Sequence, residues 1–347
     1  MKSTLLTTTA LVAFAGAAAA DGHSSIGFSG EAALGVTSTT GVNDTETTDL
    51  YWDASIDVSM SAELDNGITA SADFGINVVD SNLGEAVSTS DYVLSISGGN
   101  SSLSFGDIEN VAEDNFGGAD GSTATGFTEA GDEPVLAGST TFGGFTAQVS
   151  FNADNDDLSN MQLHVAGDLG AASVELGYED RGTADAIVGV AASGTFANAT
   201  VTGSYVTDGT ETSTGIELSY PVGAVTVGGY YSMNDVAEDN MGVSADYEAG
   251  AISVSASYDM DGGTDVGSYA IEGSYDMGNG LTVNAGVLGS DATGANTTTY
   301  LAGTYDLGGD ASLLMSYATD GDAAALGEDL GDPEYNEGLT VEVSFAF

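Results

Sequence analysis

The chain has 347 residues with 53 Asp and Glu against two Lys and Arg, a formal net charge of −51, two His, no Cys and 50 Gly. With almost no cations it cannot neutralise nucleic-acid phosphate, and without Cys it has no disulfide framework, thiolate metal site or Cys nucleophile. Two His leave little for imidazole-based catalysis, and so high a charge keeps an acidic disordered chain open until the residue pattern is read.

Residues 1–20 read as a secretory signal peptide. Lys2 supplies the charged start, Leu5 to Ala17 is short and mostly apolar, and Ala18-Ala19-Ala20 offers an A-x-A cleavage site before Asp21. Its removal takes Lys2 and leaves Arg181 as the one Lys or Arg of residues 21–347, which are expected to form a single unit. No later stretch is long and apolar enough for a membrane helix.

From Leu50 every second residue is apolar: Trp52, Ala54, Ile56, Val58, Met60, Ala62 and Leu64 alternate with Asp53, Ser55, Asp57, Ser59, Ser61 and Glu63. Period two predicts a half-wetted strand and excludes an amphipathic helix. Asp65-Asn66-Gly67 predicts a hairpin turn, and the return strand alternates through Ile68, Ala70, Ala72, Phe74, Ile76 and Val78. After Gly143-Gly144 come Phe145, Ala147, Val149 and Phe151. Later turns are predicted at Gly167–Gly170, Gly194-Thr195, Pro221–Gly223, Glu248–Gly250, Met277–Gly280 and Leu307–Asp310. The count comes to about twenty strands, or about sixteen to eighteen if some runs are split in excess. Alternation is faintest at 102–107 and 185–193.

The medium facing the apolar phase decides between a soluble array and a membrane barrel. Ten acids inside strand runs, Glu31, Asp53, Asp57, Asp73, Asp91, Glu175, Glu217, Asp246, Glu272 and Glu342, all lie on the polar phase. A β-sandwich array or a secreted β-solenoid would also place them so. Tyrosines discriminate better. Tyr178, Tyr205, Tyr231, Tyr258 and Tyr317 close strands leading into longer loops, and Tyr220, Tyr247, Tyr275 and Tyr305 close strands leading into short turns. Two Tyr rims around an apolar band are the aromatic girdles of a membrane barrel. Open strand edges are not tolerated in hydrocarbon, so the expected fold is all-β, a closed antiparallel transmembrane β-barrel.

The export signal, the opening Ile26-Gly27-Phe28-Ser29-Gly30-Glu31, hairpins such as Ser274-Tyr275-Asp276-Met277-Gly278-Asn279-Gly280 and the terminal aromatic Phe347 together resemble the Gram-negative general porins, particularly those of the alphaproteobacterial type. The resemblance implies a water-filled outer-membrane channel, a homotrimer embedded in outer-membrane lipid, Phe347 as the assembly signal, and the third long loop folded inside the barrel. The candidate inner loop is 108–133, carrying Glu109, Glu113, Asp114, Asp120, Glu129, Asp132 and Glu133. Its Asn115-Phe116-Gly117-Gly118 is similar to the Phe-Gly of the family's inner loop; an ordinary exposed acidic loop is the alternative. Two departures stand out. The family has fewer strands than this count, and it sets basic residues on the wall facing the acidic loop, where this chain has none to offer.

Enzymatic chemistry is not expected. His164 sits on the polar phase with no Ser or Asp at catalytic spacing, and His23 adjoins the cleavage site. No cofactor is expected, although Asp154-Asn155-Asp156-Asp157 and Asp259–Asp265 could hold Ca²⁺ or Mg²⁺ loosely; neither has full EF-hand spacing. The expected function is an outer-membrane channel for passive diffusion of small hydrophilic solutes and ions, selective for cations. A substrate-specific channel and a secreted Ca²⁺-dependent adhesin or surface-layer protein are the alternatives.

Overall fold

A computed structural model describes residues 24–41, 45–64, 66–80, 87–121, 126–131, 133–154, 157–182, 184–235, 239–319 and 337–347; the expected signal peptide, His23 and Asp132 lie outside them. Twenty strands run through the described residues. The first five are β1 (Ser24–Gly41), β2 (Thr45–Glu63), β3 (Thr69–Asp80), β4 (Ser88–Gly98) and β5 (Ser101–Gly106). A five-residue helix, α1 (Val111–Asn115), precedes β6 (Val135–Phe142), β7 (Phe145–Asp154), β8 (Asp157–Leu169), β9 (Ala172–Asp180) and β10 (Ile187–Phe196). Then follow β11 (Ala199–Thr207), β12 (Thr212–Val222), β13 (Val225–Asn234), β14 (Asn240–Ala249) and β15 (Ile252–Asp261). The last five are β16 (Val266–Gly278), β17 (Leu281–Ser290), β18 (Thr298–Asp306), β19 (Ala311–Ala318) and β20 (Gly338–Ala346).

Each strand pairs antiparallel with its neighbours in sequence, and β1 pairs with β20, so the sheet closes on itself. Closure reaches the last residue: the Gly30 and Phe347 amides donate to each other's carbonyls at 2.7 and 2.8 Å. The twenty-strand count of the sequence pattern holds. Alternation then sorts the side chains between two surfaces. Leu34, Leu50, Ile216, Val243, Leu301 and Tyr317 stand exposed on the outside, while Ser150, Gln162, Ser213, Ser232 and Thr340 are buried on the inside. Polar within and apolar without is the inverse of a soluble β-protein, and it suits a wall whose outer solvent is hydrocarbon.

Three details depart from the sequence pattern. The turn predicted at Gly194-Thr195 forms at Ala197-Asn198, both with positive φ (50° and 67°); Gly194 pairs with Val201 inside the hairpin. Continued alternation carries the strand past Gly194 to an Asn that tolerates the left-handed region a two-residue hairpin requires. A bulge in β3 makes Val79, not Val78, the partner of Ala54, because one extra residue exchanges the faces beyond it. The helix α1 was not visible as a periodic signal, being too short to show one.

Candidate pore lining and inner segment

The described residues between β5 and β6 run along the inner wall, and their backbone is held by side chains from the polar phase of the strands behind it. The first amides of α1 have no intrahelical acceptor. Val111 N–H donates to Ser150 Oγ (3.0 Å) on β7, while Ala112 and Glu113 N–H share Gln162 Oε1 (3.1 and 3.0 Å) on β8. Gln162 turns its amide nitrogen to Thr128 O (2.8 Å), and Thr128 N–H donates to Glu179 Oε2 (2.8 Å) on β9. Asn110 donates to Asn152 Oδ1 (2.8 Å) and accepts from Ser150 Oγ (3.1 Å), and Asn152 donates to Glu133 (2.9 Å). Asn110, Ser150, Gln162 and Glu179 are fully buried. A register shift at Asn160-Met161, where Asn160 has φ 49°, lies next to Gln162, in keeping with bulges that re-aim side chains beside functional sites.

Farther along, Gly117 N–H donates to Glu175 Oε2 (3.2 Å), Ala119 N–H to Ser204 Oγ (2.9 Å) and Asp120 N–H to Glu217. Gly121 O accepts from Asn234 (3.2 Å) and Asn240 (3.3 Å). Phe116 and Phe127 meet edge to face with centroids 5.4 Å apart. Of the seven acids singled out in this segment, Glu109, Asp114, Asp120, Glu129 and Glu133 are exposed and Glu113 is half-buried; Asp132 lies outside the described residues.

The ten acids of the strand runs do not share one environment. Glu31, Asp53, Asp57, Asp73, Asp91 and Asp246 are exposed. Glu175 and Glu217 are half-buried beneath the inner segment, and Glu272 is 3% exposed, capped by the Tyr300 hydroxyl. Glu342 accepts from Tyr51 Oη at 2.6 Å. Tyr51 and Tyr300 also cover glycines on the neighbouring strands, Gly35 and Gly286, where any added Cβ would lie within 2.5 Å of a ring atom, the packing by which an aromatic shields a strand glycine. Among the tyrosines assigned to the rims, all but Tyr178 are exposed outward; Tyr178 is half-buried. Phe347 is exposed, its ring 6.4 Å from that of Phe345.

His164 is nearly buried, with Nδ1 3.1 Å from Gln148 Oε1 and Nε2 3.6 Å from Glu175 Oε2; no serine completes a nucleophilic triad in these contacts. Arg181 lies in the β9–β10 connection, donating to Asp185 O (2.8 Å) and pairing with Asp208 (3.3 Å) in the β11–β12 connection. The N–H groups of Glu211 and Thr210, and then Arg181, hold the Asp208 carboxyl below the usual carboxylate range. No cluster of three or more His, Asp or Glu with metal-binding proximity occurs among the described residues. Asp259 and Asp261 belong to β15, and of Asp154–Asp157 the middle pair, Asn155 and Asp156, lies outside the described residues.

The clamp formed by Asn110, Ser150, Asn152, Gln162 and Glu179 was missed from sequence. Its one available signal was Gln162 and Glu179 recurring on the polar phase of adjacent strands, and neutral amides and hydroxyls on that phase look like any wetted surface.

The family model described as Gram-negative porin matches residues 7–325. A multiply substituted Rhodopseudomonas blastica porin is 17% identical, with a TM-score of 0.47, over 93% of this chain and 100% of its own. A triple mutant of the same porin is 16% identical, with the same TM-score and coverage. No curated protein matches the chain.

Proposed function

The chain belongs to the Gram-negative porin family, and from that premise we propose that it is a cation-selective member whose inner segment, 108–133, forms the constriction. As a porin it is an outer-membrane channel and not an enzyme. The observation that carries selectivity is the sign of the charge on the inner surface. Exposed carboxylates Asp53, Asp57 and Asp73 lie on the polar phase of the wall, and Asp114, Asp120 and Glu129 lie on the inner segment. The one Lys or Arg beyond the expected signal peptide, Arg181, is engaged by Asp185 and Asp208 in the connections between strands. Rings of Asp and Glu favour cations, and low-dielectric walls concentrate their field. Crowded carboxylates attract counter-ions, so exchangeable Ca²⁺ or Mg²⁺ lowers the effective charge without reversing its sign.

We infer a homotrimer as well. The nine rim tyrosines occur from β9 to β19, and Tyr92 is outward on β4, whereas the outer face of β1, β2 and β3 presents Gly30, Ala32, Ala54, Ala62, Ala70 and Ala72 among larger apolar residues that include Trp52. Interfacial Tyr and Trp anchor a wall that meets headgroups, and a face poor in them and rich in small residues suits protein contact.

The test is the zero-current potential across a planar bilayer under a KCl gradient at neutral pH. Cation preference that weakens as salt rises is expected, since fields are screened beyond about 10 Å at 0.1 M. Anion preference, or a potential indifferent to salt, overturns the proposal. Glu113→Gln with Asp114→Asn reduces the preference if 108–133 is the constriction and leaves it unchanged otherwise.

A further inference from the structure

Two glycines on the inner wall have no part in any turn. Gly177 on β9 and Gly189 on β10 are direct partners across the strand pair, both on the polar phase and both buried. Neither has a positive φ among the described residues, so backbone conformation does not demand glycine at either place. What lies over them does. A Cβ on Gly189 would sit 2.7 Å from Phe116 Cζ, and one on Gly177 would sit 2.5 Å from Phe127 Cζ and 3.2 Å from Phe116 Cδ2. Side by side, the two bare positions make a notch in the barrel wall, and the edge-to-face pair Phe116–Phe127 fills it. Glycine within a strand marks a close approach of this kind, and interiors packed at crystal density respond to the addition of a single methylene.

We propose that Gly177 and Gly189 are positioning residues of the channel: a socket that seats Phe116 and Phe127, and so sets how far the inner segment stands from the wall and how wide the pore is. This deepens the reading of 108–133 as the constriction and rests on it. The division of labour is clear in the contacts. Gln162, Ser150 and Glu179 hold the ends of the segment by hydrogen bonds. The acids facing the opening take no part in the socket, and the aromatic pair fixes the depth of the middle. Because the socket is uncharged, it controls width independently of selectivity.

Single-channel conductance of assembled protein tests this. Gly189→Val fills the notch, drives Phe116 and its backbone toward the pore axis, and is expected to lower conductance while cation preference keeps its sign. Combining Gly189→Val with Phe116→Ala removes the collision and is expected to restore conductance toward that of the unaltered protein. A Gly189→Val channel that conducts normally, or a double variant as constricted as the single one, overturns the socket. Should Gly189→Val fail to assemble, the absence of cysteine permits a second measurement. Gly189→Cys is expected to resist a water-soluble maleimide while Phe116 is present and to react once Phe116→Ala is added. Ser193→Cys, on the same strand and phase, should react in both backgrounds. Equal reactivity at position 189 with and without Phe116 overturns the proposal. Failure of the charge reading looks different: Glu113→Gln with Asp114→Asn would leave the zero-current potential unmoved while the conductance and labelling results stood.

Discussion

Two arcs of the inner wall obey the same alternation and use their polar phase differently. Along β1 to β4, Glu31, Asp53, Asp57, Asp73 and Asp91 are exposed. Along β7 to β12, the polar phase is occupied in holding the inner segment: Glu175, Glu179 and Glu217 accept the N–H groups of Gly117, Thr128 and Asp120, and Ser150, Gln162 and Ser204 accept others. The difference teaches that phase tells which face a carboxylate is on but not whether it is available to an ion. A wall acid that accepts backbone amides works as a strut, and its hydrogen bonds, worth about 1.5–3 kcal/mol each when one partner is charged, hold the inner segment to the wall. An acid on the open arc has no such duty, and its charge is left to act on solutes.

The largest expected effect tests the phase on which that comparison depends. On β15, mid-strand Ala256 pairs with Ala245 and the exposed Ile271 on the outer face, while Ser255 pairs with Glu272 and Asp246 on the inner one. Arg at a lipid-facing midplane site costs about 2–4 kcal/mol, so Ala256→Arg should impair assembly and Ser255→Arg should be tolerated, as read by the heat-modifiable band on SDS gels. Equal behaviour of the two variants would invert the assignment of inside and outside. Next comes the strut arc itself. Gln162→Ala strands the Ala112 and Glu113 amides at about 1–3 kcal/mol for each unsatisfied group. The expected outcome is a lower temperature for loss of the folded band and noisier open-channel current, whereas Asp57→Asn on the open arc should change neither.

Selectivity sharpens the contrast further. Asp53→Asn with Asp57→Asn should reduce the zero-current potential more than Glu175→Gln does, because the open pair faces solute and Glu175 faces Gly117. An equal reduction would mean that the two arcs are electrically alike. The smallest effect belongs to the connections between strands. Asp208 has its pKa depressed by the Glu211 and Thr210 amides and by Arg181, so its contribution to local order is present above the ordinary carboxylate pKa and is lost as pH falls through the depressed value. Protease cleavage in the 181–186 and 207–211 connections should therefore increase on acidification below the ordinary carboxylate range, and Arg181→Ala should show part of that increase already at neutral pH.

The sequence by itself determined the export signal as an expectation, the strand count, the closed barrel, the inside-out polarity and the family resemblance. The export signal follows from Lys2, a short apolar run and Ala18-Ala19-Ala20, and the rest from period-two alternation, turn chemistry and the placing of Tyr, all local properties of the chain. Local rules were less exact where a neighbouring strand had a say. Gly194 looked like a turn and lies inside the hairpin, and a bulge in β3 put Val79 where alternation placed Val78. Only the tertiary structure decided which carboxylates are struts and which are open, because Glu175 and Asp57 have the same phase and differ only in what the chain brings over them. It also decided the clamp around Gln162 and the pairing of Gly177 with Gly189 beneath Phe116. Those contacts join residues from 110 to 189 across adjacent strands and the inner segment, and a notch made of two absent side chains leaves no pattern until the aromatic rings that fill it are in place.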